Sequence, residues 1–171
     1  MAEPDQDERY RLAVSEHGAA LGRLVRAYEA DADLRRDLLQ DIHIGLWRSF
    51  AGFNAQCSMR TWVYRVAHNI ATSHVLRRKR QGKQVSLDML EEFPDGGNLE
   101  ESTGEKQKLT ALMELIGTLK QPDRQVILLY LEDLDAAEIS EIVGLKPGAV
   151  ATKIHRIKAV LASRFRERSA P

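Results

Sequence analysis

Residues 135–160 read DAAEISEIVGLKPGAVATKIHRIKAV, and this stretch decides the fold of the second half of the chain. Asp135 and Glu138 stand three apart ahead of Ile139, the spacing of a capping box, in which the N-cap side chain accepts one amide and the N3 glutamate reaches back to another. The short helix they open runs to Val143, and Gly144 supplies the left-handed residue that ends it. Pro147 stands where a first-turn proline costs no hydrogen bond, so a longer helix begins there. Short helix, tight glycine turn and long basic helix make a helix-turn-helix. On the long helix Val150, Ile154, Ile157 and Leu161 share one face and are expected to pack on Ile139, Ile142 and Leu145. The other face presents Thr152, His155 and Arg156, flanked by Ala149 and Lys153, in the N-terminal half that reaches base edges. Arginine bonds guanine bidentately, threonine touches a base or a phosphate, and Lys153 and Lys158 suit phosphates. A merely solvated surface helix accounts for the polar face, but not for the cap, the turn and the charge together.

Outward from this motif, charge is zoned. The 171 residues carry 25 basic and 25 acidic side chains, so the chain is neutral overall. Residues 42–87 nevertheless hold eight Lys or Arg and no acid, and residues 88–105 hold seven carboxylates and no Lys or Arg. The last 26 residues are basic again, with seven Lys or Arg against Glu167. Such zoning costs self-repulsion within each block and serves an external field. Two positive surfaces joined by a negative strap fit a polyanion touched in two places.

The remaining pattern is helical. Leu12, Leu21, Leu24, Val25 and Tyr28 suggest a helix over 10–28, interrupted near His17 and Gly18. Leu34, Leu38, Leu39, Ile42, Leu46 and Trp47 form one stripe of a helix over 33–50. Residues 53–59 read as a loop. A third helix starts near Arg60, turns Trp62, Val63, Val66, Ile70 and Val75 inward, and ends in Arg77, Arg78, Lys79 and Arg80, a cationic finish that suits the helix dipole. Gly82, Pro94, Gly96 and Gly97 make residues 81–103 a linker, with room for a short turn at 87–93. Leu109, Leu112, Met113, Ile116 and Leu119 make a further amphipathic helix closed before Pro122, and Val126, Leu129 and Tyr130 share a face of the next. The expected fold is all-α: two small helical domains, 10–80 and 104–168, joined by the acidic linker 81–103. No apolar run approaches the roughly 18 residues of a membrane span, so no membrane insertion is expected. Cys57, lacking a partner in the chain, fits a reducing cytoplasm, and the acidic start resembles no signal peptide.

Taken in order, Asp37-Leu38-Leu39-Gln40-Asp41 with Trp47, then Thr61-Trp62-Val63-Tyr64-Arg65-Val66-Ala67-His68-Asn69, then the basic cluster at 77–80, strongly resemble the first domain of the extracytoplasmic-function sigma factors of bacterial RNA polymerase. Pro147-Gly148-Ala149-Val150 and Lys153-Ile154-His155-Arg156 follow the family's promoter-reading helix-turn-helix, and the resemblance spans about residues 10–165. It implies an alternative sigma factor with sigma region 2 at 10–80 and sigma region 4 at 104–168. The implied partners are core RNA polymerase (the clamp helices of its largest subunit and its flap region), promoter DNA and an anti-sigma factor. Asp37, Gln40 and Asp41 are then the polymerase-binding face; at i, i+3 and i+4 they share one side of a helix. Phe53, Asn54, Gln56, Arg60, Arg65, Asn69, Arg77, Arg78 and Arg80 are implied in opening and holding the −10 element, which needs a basic track, polar groups for base edges and stacking platforms. Ala151, Thr152, Lys153, His155, Arg156 and Lys158 are implied at the −35 element. Trp62 is expected in the core, while Tyr64 is open between core and stacking surface. The acidic linker either imitates nucleic acid in the polymerase channel or is a solvated tether.

Three departures from the family pattern stand out. Ser73 occupies the position of an acid usually found four residues after Asn69, Arg35 and Arg36 precede Asp37, and Ala149 and Ala151 replace polar residues of the recognition helix. The −35 preference is therefore expected to rest on Thr152, His155 and Arg156. No phosphate-cradling glycine loop or nucleophile motif is present, so neither an enzyme nor a cofactor is expected. His68 and His74, six apart, suit no metal-ligand pair on a helix. The alternative is a helix-turn-helix regulator, dimeric on a palindrome, that never joins polymerase. A third class is a protein-interaction module with exposed apolar faces. Under the sigma reading the free chain should bind duplex DNA weakly, its domains shielding each other's basic surfaces.

Overall fold

The computed structural model describes residues 3–81 and 104–170, so the acidic strap and the turn expected at 87–93 lie outside the described residues. Among those described there are seven α-helices and no strand. Helix α1 (Gln6–Tyr28) begins ahead of its apolar pattern, because Asp5 caps it by accepting the Glu8 amide at 2.8 Å and the first turn is polar. It runs through His17 and Gly18 without the expected break. Helix α2 (Ala32–Ser49) is capped by Asp31, which accepts from Asp33 and Leu34, and passes into a 3₁₀ turn at Phe50–Gly52. Helix α3 (Met59–Arg80) starts from a Ser58 cap and ends in four basic residues. Then follow α4 (Gly104–Gly117), α5 (Asp123–Leu131), α6 (Ala136–Val143) and α7 (Pro147–Ser169). Both arms of the Asp135–Glu138 capping box are made, at 2.9 and 2.8 Å, and Gly144 is left-handed with φ of 78°.

Helices α1 to α3 close around Leu21, Leu38, Ile42, Leu46, Phe50 and Val63, all fully buried. Gly45 lets α2 and α3 meet, since a methyl there would collide with the Ile70 side chain. The inward row of α3 differs from the apolar count. It consists of Val63, Tyr64, Ala67, His68, Ala71 and His74, while Trp62, Val66, Ile70 and Val75 are only half-buried. Trp62 is therefore not a core residue: its indole N–H reaches Ser49 Oγ at 2.9 Å and its ring lies on Phe53. Tyr64 takes the buried place, its ring edge-on to His17. The two alanines leave room for α1, and each buried histidine is accepted because it has a polar partner. Trp47, expected on the inner stripe of α2, is exposed and donates to Asp7 Oδ1 at 2.8 Å. Leu12 and Leu109 are also exposed.

The second domain buries Met113, Ile116, Val126, Leu129, Ile139, Val150 and Ile157, with Ile154 and Leu145 half-buried at its edge. It packs directly on the first. Gly117 sits where a methyl would come within 3.2 Å of the Ala27 carbonyl oxygen. The Tyr28 hydroxyl receives the Gln121 amide at 2.8 Å and meets His68 Nδ1 at 2.9 Å, and the Arg124 guanidinium lies 5.1 Å from the Tyr28 ring centre.

Two buried polar groups brace α3. Burial alone would raise the Glu29 carboxyl, but hydrogen bonds from His74 (2.8 Å), the Asp31 amide (3.0 Å) and Arg78 (2.5 Å) outweigh it and hold the pKa at about 2. His68 has no such counter-charge, and burial pushes its pKa down from 6.5 to about 3. The folded protein thus refuses a proton that the unfolded chain accepts below pH 6.5. Stability is undiminished by this group above pH 6.5 and declines as pH falls from there toward 3, by up to about 1.4 kcal/mol per pH unit. In urea unfolding at a series of pH values from 7.5 to 5, the wild-type chain is expected to lose stability more steeply than His68→Gln; parallel losses would contradict this assignment.

Candidate nucleic-acid interface

The helix-turn-helix is built by the capping box, by Gly144, and by the Ser140 hydroxyl bonded to the Leu145 carbonyl across the turn. Ala151, Thr152, His155, Arg156 and Lys158 are exposed on α7, and Lys153 is half-buried. Several already have partners. Thr152 Oγ1 donates to the Gly148 carbonyl at 3.0 Å, and Lys158 lies over the Tyr130 ring, 5.3 Å from its centre. Lys153 Nζ and Arg156 Nη2 both reach Asp123, at 2.8 and 3.1 Å.

In the first domain Asp37, Gln40 and Asp41 are exposed along α2. With Leu34, His74, Arg77, Arg78 and Gln81 they line an open cleft of about 350 Å³. The acidic face and the basic end of α3 are therefore one continuous surface, joined by Asp41 and Arg77 at 3.9 Å. Arg80 is exposed, whereas Arg78 is turned inward to Glu29. The loop before α3 presents Asn54 and Gln56 to solvent, with Ala55 in the left-handed region at φ of 59°. Phe53 is half-buried against Phe50 and Trp62, and Arg9 fixes the loop by donating to the Phe50 and Phe53 carbonyls at 3.3 and 3.0 Å. Asn69 is exposed on α3, on a different arc from Tyr64.

Two of the arginines in this set face the other domain. Arg60 Nη2 lies 3.4 Å from Glu138, and Arg65 Nη2 donates to the Glu141 carbonyl at 3.0 Å, so α6 covers this part of α3. Beside them Arg23 grips Glu132 through two bonds of 2.7 and 2.8 Å. Glu29, Asp123, Glu132 and Glu138 are the carboxylates that sequence reasoning left without a role at these surfaces. Only Glu138 had any signal, and that signal pointed to its cap. The same Oε2 atom that accepts the Asp135 amide also faces Arg60.

The arrangement defines a class: a two-domain, all-helical nucleic-acid-binding protein with a helix-turn-helix in its second domain and an acidic-to-basic cleft in its first. Residues 13–81 match the family described as sigma-70 region 2, and residues 109–161 match sigma-70, region 4. The chain belongs to the sigma-70 family, in its extracytoplasmic-function group. It is 27% identical over 161 residues to the RNA polymerase sigma factor CnrH of Cupriavidus metallidurans, covering 88% of this chain and 83% of that one. It is 26% identical over 141 residues to the sigma factor SigW of Bacillus subtilis (77% and 75%). To the sigma-E factor of Escherichia coli K12 it is 25% identical over 161 residues (89% and 84%). A solved structure of CnrH in complex with the cytosolic domain of CnrY superimposes with a TM-score of 0.64 at 21% identity, covering 92% of this chain and 88% of that one. The protein is accordingly an alternative sigma factor that directs transcription initiation, and it is not an enzyme. No helix among the described residues is long and apolar enough to cross a membrane.

The contacts across the domains imply that the free chain partly occupies its own cationic surface. Exchanging Glu132 and Glu138 for Gln removes both charges while keeping the cap, since glutamine serves at that position. In fluorescence anisotropy with an arbitrary labelled duplex at low salt, the doubly exchanged chain is expected to bind roughly twofold to thirtyfold more tightly, two partly exposed pairs being worth about 0.2–1 kcal/mol each. Unaltered affinity would mean that the contacts shield nothing.

Proposed function

We propose that the chain divides its work as its two surfaces suggest. Residues 10–80 bind core polymerase through Asp37, Gln40 and Asp41 on the clamp helices of the largest subunit. The same domain opens and holds the −10 element through Phe53, Asn54, Gln56, Arg60, Arg65, Asn69, Arg77, Arg78 and Arg80. Residues 104–168 read the −35 duplex with Ala151, Thr152, Lys153, His155, Arg156 and Lys158 and approach the flap region, and residues 81–103 tether the two. The observation that carries this reading is the continuity of the α2 acids with the basic end of α3. A partner docked on the first is adjacent to strands held by the second. Phe53 is a stacking platform whose rear is backed by Phe50 and Trp62.

Geometry adds a requirement. Elements about 25 base pairs apart lie about 85 Å apart on B-form duplex. Residues 82–103 number 22, and covalent geometry lets them span at most about 75 Å. The tether and the two domain bodies together cover that distance, but only if the contacts of Arg23, Arg60 and Arg65 with the second domain are given up. Joining polymerase at a promoter is thus an opening reaction, and a protein that holds the chain closed is an inhibitor. The complex of CnrH with CnrY supports an anti-sigma partner here. The work is done in the cytoplasm, where core polymerase is.

Reversing charge at Asp37 and Asp41 with Arg is expected to abolish co-purification with core polymerase while the far-ultraviolet circular dichroism of the chain stays unaltered. Association at the wild-type level would remove the docking assignment. Exchanging Arg156 for Ala should cost about 1–3 kcal/mol of discrimination among −35 sequences, read by competition between cognate and altered duplexes. A preserved preference would exclude Arg156 as a base reader.

A further inference from the structure

Asp123 is the first residue of α5 and belongs to neither helix of the helix-turn-helix, yet its carboxylate sits against the recognition helix. Oδ1 accepts Lys153 Nζ at 2.8 Å, and both carboxylate oxygens lie near Arg156 Nη2, at 3.3 and 3.1 Å. Lys153 and Arg156 are three apart on α7, so one carboxylate holds two neighbouring cations of the face assigned to base reading. The side chains differ in exposure: Asp123 26%, Lys153 24% and Arg156 59%. The carboxylate and the lysine are tucked in, and the arginine projects.

For a surface built only to grip phosphates, a carboxylate in this place is counterproductive, because it repels the backbone and cancels one positive charge. Its geometry serves another end. Both Arg156 contacts leave from Nη2, and one carboxylate can take both through a single hydrogen, which leaves the other Nη2 hydrogen and its neighbour on the same edge of the guanidinium for an outside acceptor. An arginine anchored through one nitrogen presents a planar fork in a restricted set of orientations, the condition for bidentate recognition of a guanine edge. An unanchored one collapses onto whichever phosphate is near. Lys153, held by the same carboxylate, also braces Asp123 against α7.

We propose that Asp123 is a specificity-determining positioning residue, acting through Arg156 to favour base discrimination at the −35 element over phosphate affinity. This rests on the reading of α7 as the −35 recognition helix. The test uses holoenzyme reconstituted from core RNA polymerase and the full chain, selecting from a duplex promoter library randomised over the −35 region. Binding to one fixed scrambled duplex is measured across a salt series. Asp123→Asn, nearly isosteric, is expected to flatten the selected preference by about fivefold to tenfold and to steepen the salt dependence by about one unit of slope. Asp123→Ser, which also suits a helix start, repeats the loss of charge with a different side-chain size. In an Arg156→Ala background neither exchange should alter the selected sequences further. Three results would overturn the proposal: an unchanged selection profile, a uniform weakening without change of slope, or the same loss of preference when Arg156 is already absent. If the wild-type holoenzyme itself selects no −35 sequence, it is the underlying −35 reading that fails.

Discussion

The two domains meet at the hydroxyl of Tyr28. This residue ends α1, and burial raises its pKa, so the phenol stays protonated and can both donate and accept. It receives Gln121 from the second domain and is bonded to the neutral His68 of the first, while Arg124, its own pKa lowered by burial, covers the ring. Beside that node Gly117 comes close to Ala27, and farther along the boundary Arg60 and Arg65 hold α6 against α3.

Local chemistry was legible and tertiary chemistry was not. The capping box, the left-handed Gly144 and the helical start at Pro147 were readable because each is decided within four residues. The helix-turn-helix and its exposed Thr152, His155 and Arg156 followed. The apolar count failed on α3, where proximity of α1 and α6 moved the buried arc onto alanines and partnered histidines. Tyr64 therefore lies deeper than Trp62, against the order their apolar character gives. The exposed face of Asp37, Gln40 and Asp41 was visible from spacing, but its continuity with the basic end of α3 required the fold.

Charge zoning deceived in one respect. Along the sequence, residues 42–87 place no carboxylate beside their arginines. The fold supplies acids from elsewhere: Glu29 from the C-cap of α1 to Arg78, Asp41 from α2 to Arg77, Glu138 from α6 to Arg60, and Asp123 from α5 to Lys153 and Arg156. Segregation along the chain therefore becomes complementarity in the folded state. A sigma factor has reason for that arrangement, since a free chain with two uncovered cationic surfaces would be held by non-specific DNA before it met polymerase. The pairs at the domain boundary are individually weak, which suits contacts that must later be surrendered.

Initiation by this chain requires that its two domains part. Labels at Ser15→Cys on α1 and Ser163→Cys on α7, in a chain with Cys57→Ser, report that separation by energy transfer. The free chain is expected to give one short distance, and addition of core polymerase with promoter duplex to lengthen it toward the about 85 Å spanned by 25 base pairs. Retention of the short distance in an initiating complex would mean that the chain initiates with its domains still closed.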